Sequence, residues 1–247
     1  MLSGWHKNNS HHLKPMKTKH LLCFLFLAAV YPNEFNEVKI ENISSTRVLS
    51  IAQDSAGFIW IGTDDGLNRF DGLQNKVYRS DVFDEATISG NRIWKIHVDK
   101  SNTTWALTDR GVCYYDALRD QFKRIETKSR PQHIQDEKNT LFVSTLNHGI
   151  YAINKETKSF KNYLFDPLDP FSISSSKFST LQAKPTAIDG DDLWVGTING
   201  LNKLNLKTGQ AKRLYRNKTN YVKSDTITAV LFVDDVLYVG TSRGLSL

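Results

Sequence analysis

The sequence predicts an all-β fold, a β-propeller built from four-stranded antiparallel blades. Three observations carry that prediction. One motif, Trp-[Ile/Val]-Gly-Thr-x-x-Gly-Leu in its fullest form, recurs five times. The copies are spaced within the range of propeller blades. Each is flanked by short apolar runs, rich in β-branched and aromatic residues, that are separated by Gly, Asn and Asp.

The copies begin at Trp60, Trp105, Phe142, Trp194 and Tyr238, with intervals of 45, 37, 52 and 44 residues. Upstream of each lies an inner-strand candidate: Val48 to Asp54, Ile93 to Asp99, His133 to Asp136, Thr186 to Asp189 and Ile227 to Asp234. The aromatic run supplies a second strand. Thr-x-x-Gly then makes a turn in which Gly66, Gly111, Gly149, Gly200 and Gly244 can take positive φ. Third strands follow at Leu67, Val112, Ile150 and Leu201. Polar fourth strands follow near Lys76–Arg79, Gln121–Arg124, Ser159–Tyr163 and Ala211–Tyr215. A twisted sheet of this size cannot cover both its faces alone, and neighbours packed radially cover both. The motif aromatics are therefore expected between blades.

The blade motifs span about 46–80, 91–126, 131–163, 184–216 and 225–247, inside a body of residues 32–247. Two long linkers, Ser80–Arg92 and Leu164–Pro185, share an acidic-then-Ser pattern. The fifth copy stops after its third strand, so an incomplete, open propeller is expected. Val38–Ser44 reads as a spare fourth strand that would close a five-bladed ring. An unpaired edge would favour self-association, or pairing with the remainder of a longer protein.

Residues 1–15 read as a disordered extension and residues 16–31 as a signal peptide. Lys17 and Lys19 precede a ten-residue apolar run, Leu21–Val30, which is too short to span a bilayer. The expected location is the periplasm. Of the formal charge of +6, four lysines lie in the first 33 residues, which hold no acid. The rest carries 28 basic and 26 acidic residues, a net +2. No basic stripe marks a nucleic-acid surface. Lys212, Arg213, Arg216 and Lys218 form the densest basic group and read as a solvated outer strand and loop. Cys113 reads as a buried thiol.

The stretch Asp54-x-x-Gly57-Phe-Ile-Trp-Ile-Gly-Thr-x-x-Gly-Leu-Asn-Arg-Phe-Asp71 resembles the two-component regulator propeller repeat. The Asp166–Ser174 linker is similar to that family's inter-blade segments. The likeness is strong in copies one, four and five. Copy two lacks the Gly before Thr108, and copy three lacks both the Trp and that Gly. The resemblance implies the periplasmic sensor region of a Bacteroidetes hybrid histidine kinase, with an oligosaccharide ligand. It also implies that this chain is an N-terminal piece, with the membrane span and kinase in parts absent here.

No Gly-rich phosphate loop, His-Glu-x-x-His, zinc-type Cys/His spacing or Gly-x-Ser-x-Gly is present. No enzymatic activity, metal or cofactor is expected. Asp64-Asp65 and Asp189–Asp192 lack calcium-loop spacing, and His97 reads as a core or channel-lining residue. The variable turn residues are the positions free to carry specificity, because loops on a rigid scaffold are where binding concentrates. The ligand-binding candidates are Asp65, Arg110, His148, Asn199 and Arg243. Two other roles remain open, a scaffold propeller for envelope protein assembly and a propeller lyase or glycosidase.

Overall fold

The computed structural model describes residues 38–179, 184–217 and 222–247. Lys39–Leu247 form one compact unit, and Val38 falls with the preceding segment. The expected extension and signal peptide lie outside the described residues.

Five antiparallel sheets follow one another along the chain. The first contains β1 (Val48–Gln53), β2 (Ile59–Thr63), β3 (Leu67–Phe70) and β4 (Asn75–Tyr78). The second contains β5 (Ile93–Val98), β6 (Thr104–Thr108), β7 (Gly111–Asp116) and β8 (Gln121–Glu126). The third contains β9 (Pro131–Glu137), β10 (Thr140–Thr145), β11 (Ile150–Asn154) and β12 (Phe160–Tyr163). The fourth contains β13 (Thr186–Asp189), β14 (Asp192–Thr197), β15 (Gly200–Asn205) and β16 (Ala211–Leu214). The last has β17 (Ile227–Val233), β18 (Val236–Thr241) and β19 (Gly244–Ser246). Strands within each sheet pair in chain order, as in a meander. The first strands pack side by side, β1 on β5, β5 on β9, β9 on β13 and β13 on β17. This is the fan of a β-propeller.

The seams between blades form the core. Trp60, Leu67, Ile88, Ile93, Cys113 and Phe122 share one buried cluster across the first two blades. Trp105, Leu141, Val143 and Ile153 fill the next seam. Asp54 and Asp99, at the ends of inner strands, fix the tryptophans. Trp60 Nε1 donates to Asp54 Oδ2 at 2.8 Å, and Trp105 Nε1 donates to Asp99 Oδ2 at 2.8 Å. The other oxygen of each carboxylate accepts turn amides, from Ala56 and Phe58 and from Ser101 and Thr103. One side chain thus closes the hairpin and pairs the buried indole N–H.

The Gly before Thr is explained by space. A Cβ on Gly62 would lie 2.7 Å from Ile93 Cγ2, and one on Gly196 would lie 2.4 Å from Ile227 Cγ2. Each Gly admits the first residue of the next inner strand. The copies that lack it, with Leu107 and Ser144, precede inner strands led by Pro131 and Pro185 instead of Ile.

The long linkers are clasped by arginine. Arg124 on β8 donates from Nε to Thr87 O and from Nη2 to the carbonyls of Asp81 and Asp84. Arg213 on β16 repeats this with Ser172, Asp166 and Asp169. The expectation that Arg213 belongs to a merely solvated basic group is corrected, because a guanidinium satisfies three loop carbonyls where water would serve poorly. Each linker then inserts an apolar plug, Ile88 or Ile173, into the seam.

Val38–Ser44 does not form the expected fourth strand. Ser44 enters the first blade as Ser174 enters the fourth. Its N–H donates to Asn68 Oδ1 at 2.9 Å, and its hydroxyl lies 2.8 Å from Thr63 Oγ1. Ser174 makes the same contacts with Asn202 and Thr197. These bonds hold the segment at the turn end of the blade and away from a sheet edge.

At the outer side of the first seam, Tyr78 and Tyr115 each donate to Asp120 Oδ1 at 2.6 Å, and Lys76 pairs with the same carboxylate. Burial opposes ionisation of Asp120. The hydrogen bonds from Lys76, Tyr115 and Tyr78 outweigh it and hold the carboxyl well below the usual range.

Gly62→Ala should destabilise the chain by about 1–3 kcal/mol through overpacking against Ile93, read as a lower urea midpoint. Arg124→Lys should fail to restore the clasp, because an ammonium lacks the planar fork. The expected cost is on the order of 1–2 kcal/mol at this half-exposed site, with faster amide exchange confined to residues 81–88.

Candidate functional site

The four Thr-x-x-Gly turns and the third copy's Thr145–Gly149 turn, which is one residue longer, share one hydrogen-bond pattern. The Thr hydroxyl donates to the Gly carbonyl at 3.0, 3.0, 3.1, 2.9 and 2.8 Å in chain order. It accepts the N–H of the residue before Gly, at 3.0–3.1 Å from Asp65, Arg110, His148, Asn199 and Arg243. Positive φ at Gly66 (141°) and Gly200 (120°) closes the loop. The backbone of each candidate is therefore fixed and its side chain is left to vary.

The five side chains have different neighbours. Asp65 accepts from Arg79 Nη2 at 3.1 Å. Arg110 borders a groove of about 370 Å³ with Ser89, Arg124 and Glu126. The His148 ring lies 6.3 Å from that of Tyr151. Asn199 reaches the Ser174 carbonyl at 3.5 Å, and Arg243 is exposed.

A second group of residues converges. At the same end of the blades, nearer the inner strands, a cavity of about 420 Å³ is lined by Arg47, Leu49, Arg92, Trp94, Lys95, Pro131, Gln132 and His133. Inner strands pair antiparallel with second strands, Val48 opposite Thr63 and Ile93 opposite Thr108, so their starts lie beside the turns. Each inner strand brings a local register to the site. The series is Arg47-Val-Leu-Ser-Ile51, Arg92-Ile-Trp-Lys-Ile96, Arg130-Pro-Gln-His-Ile134 and Lys184-Pro-Thr-Ala-Ile188. A cation opens each of these four, and the residues two and three places on are the ones free to differ.

Trp94 is flanked by two guanidiniums, Arg92 at 4.0 Å and Arg130 at 4.9 Å from the ring centroid. Such contacts favour the cations and hold them flat against the ring. Yet the site is rich in unmet hydrogen-bonding capacity. Arg92 Nε, Arg130 Nε, Trp94 Nε1, His133 Nε2 and both amide atoms of Gln132 are buried without a partner. Gln132 itself is only 8% exposed. Buried polar groups are normally paired, and six of the exceptions gather here with hydrogen-bonding capacity that water or a ligand could meet. His133 is held neutral, since burial pushes its pKa down to about 4, and Lys184 and Lys95 push the same way.

Other polar clusters are already satisfied. Over the outer strands of the fourth blade lies a groove of about 760 Å³. Its Lys203 is paired with Asp192 at 3.0 Å, and its Arg213 is committed to the linker. His97 Nε2 lies 3.0 Å from Asp136 Oδ2, and Lys155 donates to Asp136 Oδ1 at 2.8 Å. In this third blade Phe142 replaces the motif Trp. It has no indole N–H to bind Asp136, which is left free for Lys155 and the His97 ring. The Cys113 thiol is pushed up to about 11 by burial, against opposing hydrogen bonds from Ser89, and it sits in the core as a weak nucleophile. Among the described residues, no three His, Cys, Asp or Glu side chains gather as a metal site.

Residues 42–65, from Ser44's segment through β1 and β2 into the first turn, match the family described as "Two component regulator propeller". That match covers the first copy of the repeat. A curated relative, "Histidine kinase P4" from Formosa agariphila, is 46% identical over 50 residues, which is 20% of this chain and 4% of that protein. Among solved structures, the propeller resembles the extracellular domain attributed to the hybrid two component system BT3049 of B. thetaiotaomicron. That likeness has a TM-score of 0.63 and 24% identity, over 85% of this chain and 30% of that one. Virginiamycin B lyase from Staphylococcus aureus shares the fold at a TM-score of 0.53 and 14% identity, over 85% of this chain and 72% of the lyase. The chain thus spans 4% of the curated relative and 30% of the first of these solved structures.

The neutral state of His133 sets a pH dependence. The unfolded chain takes up a proton below about pH 6.5, and the folded chain does so only near 4. The stability from this site is therefore full above 6.5 and lost as pH falls from 6.5 towards 4. His133→Asn should flatten that part of the stability profile, measured by urea denaturation at pH 7.5, 6 and 5.

Proposed function

We propose that this chain is a ligand-sensing propeller segment of an exported two-component regulator, with an oligosaccharide as its ligand. The inner cavity carries this reading, because its buried polar groups lack partners on a scaffold whose repeat is that of regulator propellers. Its size suits one or two sugar rings, and its mixture of indole, amide and guanidinium groups suits hydroxyl-rich ligands. The likeness to extracellular domains of hybrid two component systems supports a periplasmic location. The likeness to a histidine kinase supports signalling through a kinase carried by a longer protein. The role in this reading is binding, which the likeness to extracellular domains of regulatory systems supports.

Titration of the chain with a panel of oligosaccharides should give saturable quenching of tryptophan fluorescence and a raised melting temperature. Trp94→Ala should abolish most of the quenching and weaken binding tenfold or more. A panel that neither quenches nor stabilises the wild-type chain rejects the reading.

A further inference from the structure

The charge and donor balance of the cavity points to a narrower ligand class. We propose that the cavity recognises an anionic group, a uronate carboxylate or a sulfate ester, on its saccharide ligand. This rests on the sensing role proposed above and adds the chemistry of recognition.

Arg47, Arg92 and Lys95 line the cavity, and no acidic side chain does. Arg130 stacks on Trp94 beside them, and Lys184 acts electrostatically on His133. Two carboxylates lie close by at the turns. Asp64 is 4.0 Å from Arg47, and Asp109 accepts the backbone N–H of Arg92 at 3.3 Å. Among the described residues, no carboxylate pairs with the guanidinium of Arg92 or Arg130 or with the ammonium of Lys95. Elsewhere in the fold, half-buried cations are spoken for, as Arg69 is by Asp120 and Lys155 by Asp136. Gathering unpaired cations at one place raises the free energy of the empty site, and an anion lowers it again.

The unmet groups point the same way. Arg92 Nε, Arg130 Nε and Trp94 Nε1 can only donate, and Gln132 Nε2 adds another donor. The unmet acceptor is Gln132 Oε1, and His133 Nε2 donates or accepts according to the tautomer of the neutral ring. A neutral sugar brings donors and acceptors in equal measure. A carboxylate or sulfate brings acceptors alone, in the planar or tetrahedral arrays that guanidinium groups match. Leu49 and the indole edge remain as apolar wall for the sugar ring. The electrostatic part of such binding weakens with salt, because the site is open to solvent.

The test is calorimetric titration of the full chain with oligosaccharides of equal length that are neutral, uronate-bearing or sulfated, and with sodium sulfate alone, at 20 and 150 mM salt. At least one acidic oligosaccharide should bind tenfold or more tightly than the neutral one and weaken at the higher salt. The acidic member that binds identifies the anion. Arg92→Gln should remove that preference. Lys95→Gln, at an exposed position that the fold tolerates, should reduce it several-fold. Arg110→Gln on the turn rim should leave it unchanged. Neutral binding as tight as acidic binding, unaffected by Arg92→Gln or Lys95→Gln, overturns the anion inference and leaves the sensing role standing. Sodium sulfate binding as tightly as the sulfated sugar overturns the saccharide part of it. No binding by any member overturns the inference together with the sensing role.

Discussion

A small twisted sheet that is apolar on both faces must be covered twice, and this constraint governs the described fold. The sheet's own strands satisfy the backbone, but Trp60 or Trp105 can leave water only when a neighbouring blade arrives. The seam is therefore where the sequence is most demanding. The indole is held by the Asp that ends the inner strand. Gly62 and Gly196 are cut back to hydrogen to admit an Ile from the next blade. The linker isoleucines plug what remains. These are local features with non-local purposes, and they recur because each seam poses the same packing problem.

The seam also explains the departures from the repeat. Leu107 and Ser144 stand where Gly is otherwise found, and the following inner strands open with proline. Phe142 stands where Trp is otherwise found, and the orphaned Asp136 is taken up by Lys155 and His97. Each weak copy carries its own compensation a few residues or one blade away. The arginine clasps act in the same spirit at the periphery. They replace helix or sheet as the hydrogen-bonding partner of a long loop, and so let an irregular linker pack tightly.

The inner cavity breaks these habits. Elsewhere, the buried Asn68 and Asn202 are met by the linker serines and their own sheets. At the cavity, polar groups from the starts of the second and third blades converge and go unmet. Of the twelve buried side-chain atoms without a partner among the described residues, six gather at this one place. The cost is borne at the site and offset by the seams.

Much of the fold was legible without coordinates. The period, the Thr-x-x-Gly turn and the strand alternation are written in neighbouring residues, because a hairpin is a local object. The repeat also named the turn residues Asp65, Arg110, His148, Asn199 and Arg243 as free to vary, and their side chains do vary. It did not show that their neighbours differ. A signal for the real cluster was present in the cation before each of four inner strands, Arg47, Arg92, Arg130 and Lys184, followed by a variable pair. Its meaning depends on which blades stand side by side. Likewise, Val38–Ser44 has the pattern of a strand, and only the bonds of Ser44 to Thr63 and Asn68 decide otherwise. The sequence by itself determined what each blade is, since that rests on contacts within some forty residues. The tertiary structure alone decided which side chains from different blades meet, because burial and charge accumulate at a point in space and not along the chain.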